Sequence, residues 1–271
     1  MTSLVIDLSY AIFYRFYAVR AYMRISKRTD FELNVDDDIF KSMFKKGAMD
    51  MIIKLVRKHK PDQLIFAVDC MRCNIWRRQV MQDYKNRSNL SDFDSRVFPL
   101  TINEIIPEVI NKMNNFTISR KPHPVSVNIM KHDSCEADDL VYIYCKHIEP
   151  EKLKVIITGD NDYLQLLDDK TEIYCLKGKS LRLKSTGCCE TDLLQKVIGG
   201  DPSDNIPKLL SKNALAQLFK EKSTAEIFEK FKDDEAFNRN LEMVDMRCIP
   251  MSLIQSVMKA EGVTERFDDV I

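Results

Sequence analysis

An α/β architecture, with a mainly parallel sheet flanked by helices and a helical C-terminal lobe, is what the amino-acid sequence predicts. Three observations predict it. Short apolar runs at Leu4 to Ile6, Gln63 to Val68 and Lys154 to Thr158 have the length and continuous hydrophobicity of buried strands. Segments of helical periodicity separate them, which is the alternation of βαβ units. From about Glu190 the chain reads as helix throughout.

Leu4 to Ile6 runs into Asp7, and Ser9 to Met23 then carries aromatic and aliphatic residues at mixed helical spacing. Thr29 to Asp38 is polar and acidic and reads as a loop. Ile39 to Lys60 reads as a helix, with Phe40, Met43, Phe44, Met51, Ile52 and Leu55 near the i, i+3/i+4 pattern, and Pro61 ends it. Gln63 to Val68 again ends in an aspartate, Asp69. Ser88 to Pro99 reads as irregular, and Phe116 to Ser119 as a strand. Glu136 to His147 is helical, apolar on one face through Leu140, Val141, Ile143 and Tyr144. Lys154 to Thr158 leads to Gly159-Asp160, and a helix starts at Tyr163 to Leu167. The expected division is an α/β core over 1–190 and a helical lobe over 191–271.

The chain has 271 residues, 45% hydrophobic and 30% charged, enough for a sizeable core in one domain with or without a smaller lobe. No run of about eighteen apolar residues occurs, so no membrane span is expected. MTSLVID has no basic leader, so an intracellular, non-secreted protein is expected. Without a secretory signal the eight cysteines are read as free thiols; Cys70-x-x-Cys73 and the adjacent Cys188-Cys189 lack the paired spacing of a zinc site. Net charge is zero, so any nucleic-acid footprint must be local. From Arg72 to Lys131 there are ten basic and five acidic residues, a local excess that follows directly on Asp69. The four histidines are scattered, and neither a nucleophile triad nor a phosphate-binding glycine loop is present.

The acidic residues carry the chemistry. They are Asp7; Asp69; Glu136, Asp138 and Asp139 in CEADD; Asp160 and Asp162 in TGDND; and Asp201 and Asp204 in GGDPSDN. Taken singly, an aspartate at a strand end or helix start is a cap, and Asp30, Asp36, Asp37, Asp38, Asp168 and Asp169 are read that way. Jointly, the nine fall at strand ends or on the helices that follow, where ligands of parallel sheets sit. Converging carboxylates stay ionised when cations neutralise them. Hard oxygen donors suit Mg²⁺, with Mn²⁺ as a substitute. Two such ions about 3.5–4 Å apart activate water and stabilise a leaving oxygen in phosphoryl transfer.

This order of motifs resembles the flap endonuclease / 5′-3′ exonuclease family, from Asp7 to about Pro250. Trp76-Arg77-Arg78, then Tyr84-Lys85-Asn86-Arg87, and Asn240 to Asp245, resemble the phage-like branch. The resemblance implies a PIN-like 5′-nuclease core with a helix–three-turn–helix-like element in the helical lobe. It implies that Asp69, Glu136 and Asp138 hold a first Mg²⁺, with Asp7 acting through water, and that Asp160, Asp162 and Asp201 hold a second. Asp139 and Asp204 match additional acidic positions. Residues from about 72 to 115 become a basic helical arch or gateway. Arg72, Arg77 and Lys85 there stabilise developing phosphate charge, and Arg78 and Arg87 contact nucleic acid. Phe13 is the base-stacking position and Arg20 its basic neighbour, whereas Trp76, Tyr84, Phe16 and Tyr17 are read as packing residues.

One departure stands out. The family's glycine-rich turn is replaced by Asn205-Ile-Pro-Lys-Leu-Leu-Ser-Lys-Asn-Ala214. Lys208, Ser211 and Lys212 are therefore expected to replace backbone N–H groups as phosphate contacts. The implied activity is metal-dependent hydrolysis giving a 5′-phosphate and a 3′-hydroxyl. The implied substrates are DNA with a 5′ flap, nick or gap, or an RNA primer on DNA, in replication or repair. A PIN-like single-stranded ribonuclease and a catalytically silent scaffold for branched DNA are the alternatives. GDPSDNIP and the chain length weigh against the first, the complete carboxylate set against the second. No protein partner is legible.

Overall fold

The computed structural model describes residues 1–26, 34–86 and 92–263. Among them the strands are β1 (Thr2–Asp7), β2 (Gln63–Val68), β3 (Thr117–Ile118), β4 (Lys121–Pro122), β5 (Ser126–Lys131), β6 (Leu153–Ile157) and β7 (Thr171–Tyr174). The helices are α1 (Leu8–Ile25), α2 (Asp38–His59), α3 (Arg77–Val80), α4 (Val97–Leu100), α5 (Ile106–Asn114) and α6 (Ala137–Ile143). They continue as α7 (Cys189–Gly199), α8 (Lys212–Glu221), α9 (Thr224–Phe231), α10 (Glu235–Val244) and α11 (Met251–Ala260).

The main sheet has the order β5-β2-β1-β6-β7, and every pairing is parallel. Strand residues alternate between two apolar layers because successive side chains point to opposite faces. Leu4, Ile6, Leu64, Phe66 and Ile157 pack with α1, α2 and the helix through 97–114. Val5, Ile65, Ala67 and Ile156 pack with α6, α11 and the turn at 161–166. The three central strands are thus covered on both sides, which is why they read as unbroken apolar runs. A third cluster, of Leu193, Val197, Ile198, Phe237 and Val244 among others, holds the C-terminal helices together. No helix of the described residues is long and apolar enough to cross a membrane.

The order places a switch point at β1. The chain leaves β1 towards β2 and β5, then crosses to β6 and β7. The crevice outside the carboxyl ends of β1 and β6 is where such sheets bind ligands. Asp7 ends β1 and pairs in register with Ala67, two residues before Asp69. Ile6 pairs with Ile157, three residues before Asp160.

Several expectations change. Phe116 to Ser119 supplies only β3, in a two-stranded hairpin outside the main sheet. The edge strands β5 and β7 escaped the sequence pattern; β5 carries Ser126, Asn128 and Lys131, which interrupt its apolar run. Tyr163 to Leu167 belongs to a 3₁₀ turn over Asn161–Leu166 rather than to a helix start. Ser88 to Ser91 lie outside the described residues, and the irregular reading of Ser88 to Pro99 fails from Val97. From there α4, a π turn at Thr101–Ile105 and α5 follow without a break, burying Val97, Leu100, Ile105, Ile106, Val109 and Met113. The second half of the expected arch over 72–115 is therefore a core helix. Its apolar stripe, through Val97, Leu100, Ile105, Ile106, Val109 and Met113, faces the core.

Candidate active site

Asp7 is built into the sheet and the following helix at once. Its carboxylate caps α1, accepting from the Tyr10 N–H at 3.0 Å, and also accepts from the Thr158 hydroxyl at 2.9 Å. Asp160 lies just beyond β6 and accepts from the Asp162 N–H at 3.0 Å. Asp69, beyond β2, accepts from the Ala137 N–H at 2.8 Å, so the first turn of α6 is fastened to the end of the sheet. That contact brings Asp138 towards Asp69.

A cleft of about 920 Å³ opens over these strand ends, lined by Asp7, Asp69, Asp138, Asp160, Asp162 and Asp201 together with three lysines, Lys85, Lys184 and Lys196. An adjoining depression shares Asp69, Lys85 and Asp160, and adds Glu136 and Asp204. Of the nine carboxylates expected to hold metal, eight therefore border one continuous opening. Glu136, Asp138 and Asp139 also present carboxylate oxygens within 4.8 Å of one another.

Asp139 is the exception. It is fully buried, accepts from the Trp76 indole N–H at 3.0 Å and the Glu136 N–H at 2.9 Å, and pairs with Arg77 at 2.8 Å. One oxygen accepts both hydrogen bonds and so holds α6 and Trp76, while the other faces Arg77, which makes Asp139 a brace for Glu136. Arg77 is corrected in the same way. It is 1% exposed, pairs with Glu136 at 3.1 Å, and donates through Nε to the Met243 carbonyl at 2.9 Å. A guanidinium so enclosed secures Glu136 to the C-terminal lobe and does not face a phosphate.

Lys85 lines the cleft. Its ammonium lies 2.5 Å from Glu136 and 3.7 Å from Asp204 at the edge of the cleft. Arg72 is exposed and lines the adjoining depression. Sequence reasoning missed Lys196, which pairs with Asp162 and with Asp201 at 3.0 Å. Its signal was weak: a lysine on α7 five residues before Asp201, reading as an ordinary solvated helix face.

The carboxylates perturb one another. Burial, and then the Asp69 charge, push Asp7 up to about 7. Burial and Asp160 push Asp162 up to about 7 against the pull of Lys196. Burial works the same way on Asp201, but the Ser203 hydroxyl and Lys196 hold it down at about 2. A carboxylate raised above its unfolded value binds protons preferentially in the native state, so native stability falls as pH rises from about 4 through about 7. In chelator, the melting temperature is expected to be lower at pH 8 than at pH 5.5 by at least ~3 °C, and divalent cations should recover most of that loss. Thermal melts at both pH values check this; a flat profile in chelator would contradict the electrostatic reading.

The remaining site residues scatter. Phe13 borders the adjoining depression and packs at a tilt against Phe93, ring centroids 4.3 Å apart, inside an aromatic cluster. Arg20 is bound to Asp92 at 2.9 Å and is tied down rather than offered to a ligand. Arg78 lines a separate depression with Cys73 and Asp83. Arg87 lies outside the described residues. Trp76 and Tyr84 are buried, and the Tyr84 hydroxyl donates to Glu136 at 3.0 Å. Lys208 and Lys212 are exposed beside the loop joining α7 to α8, whereas the Ser211 hydroxyl caps α8 by accepting from the Ala214 N–H at 3.3 Å. That loop folds back on Gly200, whose φ of 70° and lack of Cβ admit the Lys208 nitrogen; a Cβ there would lie 2.6 Å from it.

Comparison with known proteins bears on the fold and the family. The chain is 30% identical over 174 residues to DNA polymerase I of Mycobacterium bovis, covering 59% of this chain and 17% of that protein. It is 27% identical over 183 residues to a 5′-3′ exonuclease of Streptomyces coelicolor, covering 60% of this chain and 56% of the relative. The chain thus spans less than two thirds of these relatives. Among solved structures, the zinc-bound 5′-exonuclease of T5 superposes with a TM-score of 0.61 at 14% identity, over 96% of this chain and 98% of that one. A bacteriophage T5 flap endonuclease in complex with DNA and metal ions gives 0.57 at 14% identity, over 97% and 94%. At that identity the likeness is one of fold. The family model for the 5′-3′ exonuclease N-terminal resolvase-like domain matches residues 2–191, which takes in every carboxylate from Asp7 to Asp162, and the chain belongs to that family.

Proposed function

We propose that the protein is a structure-specific 5′-nuclease, a 5′ flap endonuclease and 5′-3′ exonuclease acting on DNA or on RNA primers with two Mg²⁺ ions. The observation that carries this reading is the meeting of two carboxylate groups across one cleft at the switch point of the sheet. Asp69, Glu136 and Asp138 would form one group, with Asp7 acting through water. Asp160, Asp162 and Asp201 form the other, with Asp204 nearby.

The donor set fits hard divalent cations, being all carboxylate oxygen. Bound there, the ions would supply an activated water and charge neutralisation at the leaving oxygen. The chain's own residues do the remainder. Thr158 and the Tyr10 N–H fix the orientation of Asp7. Arg77 and Tyr84 hold one oxygen of Glu136, and Lys85 approaches the other from the cleft edge. Lys85 is placed to meet negative charge developing on a phosphate. Lys196 screens Asp162 from Asp201. Lys208 and Lys212 supply side-chain contacts to duplex phosphates, with affinity that falls as salt rises.

Cleavage of a labelled 5′-flap duplex should vanish in EDTA and return with Mg²⁺ or Mn²⁺, while Ca²⁺ supports binding without cleavage. A gel carrying that duplex beside a labelled single-stranded RNA tests the reading. Hydrolysis that survives EDTA would remove the metal mechanism. Cutting of the RNA alone would make the protein a single-strand ribonuclease, and binding without cutting in any cation would make it a scaffold.

A further inference from the structure

Helices α1 and α2 lie side by side, with Phe16 against Phe40 and Arg15 against Gly47. Between their outer faces runs a groove of about 620 Å³ that the proposed chemistry does not use. Tyr14, Tyr22, Arg15, Lys46 and Lys54 line it, and Asp50 is the acidic side chain among its lining residues. In a chain of zero net charge this is a concentration of positive charge around two aromatic rings.

Its details point to a ligand. Tyr22 is 60% exposed, and among the described residues its ring has no aromatic partner. Tyr14 and Tyr22 are eight residues apart on α1, about 80° apart around the helix and separated by about 12 Å along it. The Arg15 side chain lies along the groove floor because Gly47 leaves room; a Cβ there would sit 2.5 Å from the guanidinium carbon. Among the described residues the buried Nε of Arg15 has no hydrogen-bond partner. Among the described residues Lys46 and Lys54 form no ion pair, whereas neighbouring Lys45 is paired with Glu104 and Glu108.

The groove adjoins the cleft. Tyr10 lines the carboxylate cleft, and its ring centroid lies 6.4 Å from that of Tyr14. The Tyr10 hydroxyl accepts from the Leu176 N–H at 3.2 Å, and Leu176 lines the groove. One aromatic side chain and one loop residue therefore divide the two spaces.

We propose that this groove binds the unpaired 5′ strand of the substrate, bases stacking on Tyr14 and Tyr22 and phosphates meeting Arg15, Lys46 and Lys54. Alternating aromatic and cationic groups along a groove are what a single strand requires, since every base has a face to stack and every linkage a charge. The inference rests on the nuclease reading above, and the two fail in different experiments.

The test is fluorescence anisotropy in Ca²⁺, using the full chain and a duplex carrying a 5′ oligothymidine tail of increasing length. Affinity is expected to rise with tail length until the groove is filled. In the Tyr14→Ala, Tyr22→Ala variant that tail-dependent gain should drop about tenfold or more. In the Lys46→Gln, Lys54→Gln variant, whose changes lie on the exposed face of α2, the salt slope of the tail-dependent gain should flatten by roughly 1.4 units. Affinity for the untailed duplex should stay unchanged in both. A tail-dependent gain that persists in the tyrosine variant, an unchanged salt slope in the lysine variant, an equal gain from a 3′ tail, or equal competition by oligoglutamate would overturn the groove assignment. Failure of the wild-type protein to cut any duplex in Mg²⁺ would instead overturn the nuclease reading, because tail binding in Ca²⁺ is measured independently.

Discussion

Asp69→Asn and Asp160→Asn are each expected to lower turnover of a 5′-flap substrate by about a thousandfold or more while leaving the protein folded. Each residue faces the cleft from a different strand end, and each belongs to a different proposed metal group. Asparagine keeps the shape and one acceptor oxygen but removes the charge that makes a carboxylate a ligand for a hard cation. A loss of this size corresponds to about 4 kcal/mol of transition-state stabilisation. The fold has reason to tolerate both changes. Asp69 raises the cost of ionising Asp7, and Asp160 that of ionising Asp162, so either substitution removes a repulsion. Melting temperature in chelator should therefore hold or rise, and the stabilisation by added Mg²⁺ should shrink. Single-turnover cleavage and thermal melts check the two halves together. Near-normal turnover in either variant would displace that residue from the site.

Arg77→Ala is expected to produce the largest loss of stability among single changes at the site. The guanidinium is enclosed and neutralises Glu136 and Asp139, both also buried. Its removal leaves two carboxylates in a low-dielectric interior with too few partners. Breaking a buried pair in this way costs about 3–5 kcal/mol. For a chain of this size that is a fall in melting temperature of roughly 10 °C. Arg77→Lys keeps the charge but cannot reproduce the fork that reaches Glu136 and Met243 together, so an intermediate loss is expected. Chemical denaturation at neutral pH measures both. A phosphate-binding arginine would behave otherwise: stability would stay constant and only substrate affinity would fall.

Arg77 also shows where the sequence was legible and where it was not. The carboxylates at the ends of β1, β2 and β6 could be read because each follows a run of apolar residues, and such runs are distinctive when a strand is buried on both faces. The first turn of α6 could be read because Glu136, Asp138 and Asp139 stand at its start. Burial of a charged residue leaves no such trace. Arg77 and Arg78 are adjacent and chemically equal, yet one is enclosed and the other lines a surface depression. Only the packing of Trp76 under Asp139 decides which is which. Lys196 was invisible for a related reason, since its partners Asp162 and Asp201 come from separate segments that only the fold brings together. The edge strand β5 pairs on one side alone, so its polar residues carried no penalty and broke the pattern that exposed the central strands.

The clasp between core and lobe has a consequence for how this chain can change. Arg77 donates to the Met243 carbonyl and Gln165 to the Val244 carbonyl, the last two residues of α10. Carbonyls at a helix's C-terminus lack partners within the helix. They offer the core a docking point that belongs to the backbone and is blind to the side chains around it. Helix α10 can therefore be rewritten at most solvent-facing positions without loosening Glu136, provided that it still ends at Val244. Lengthening it by one residue would rotate those carbonyls by about 100° and carry them away from both donors. A chimera that grafts a relative's helical lobe onto this core should accordingly depend less on matched sequence than on matched helix length.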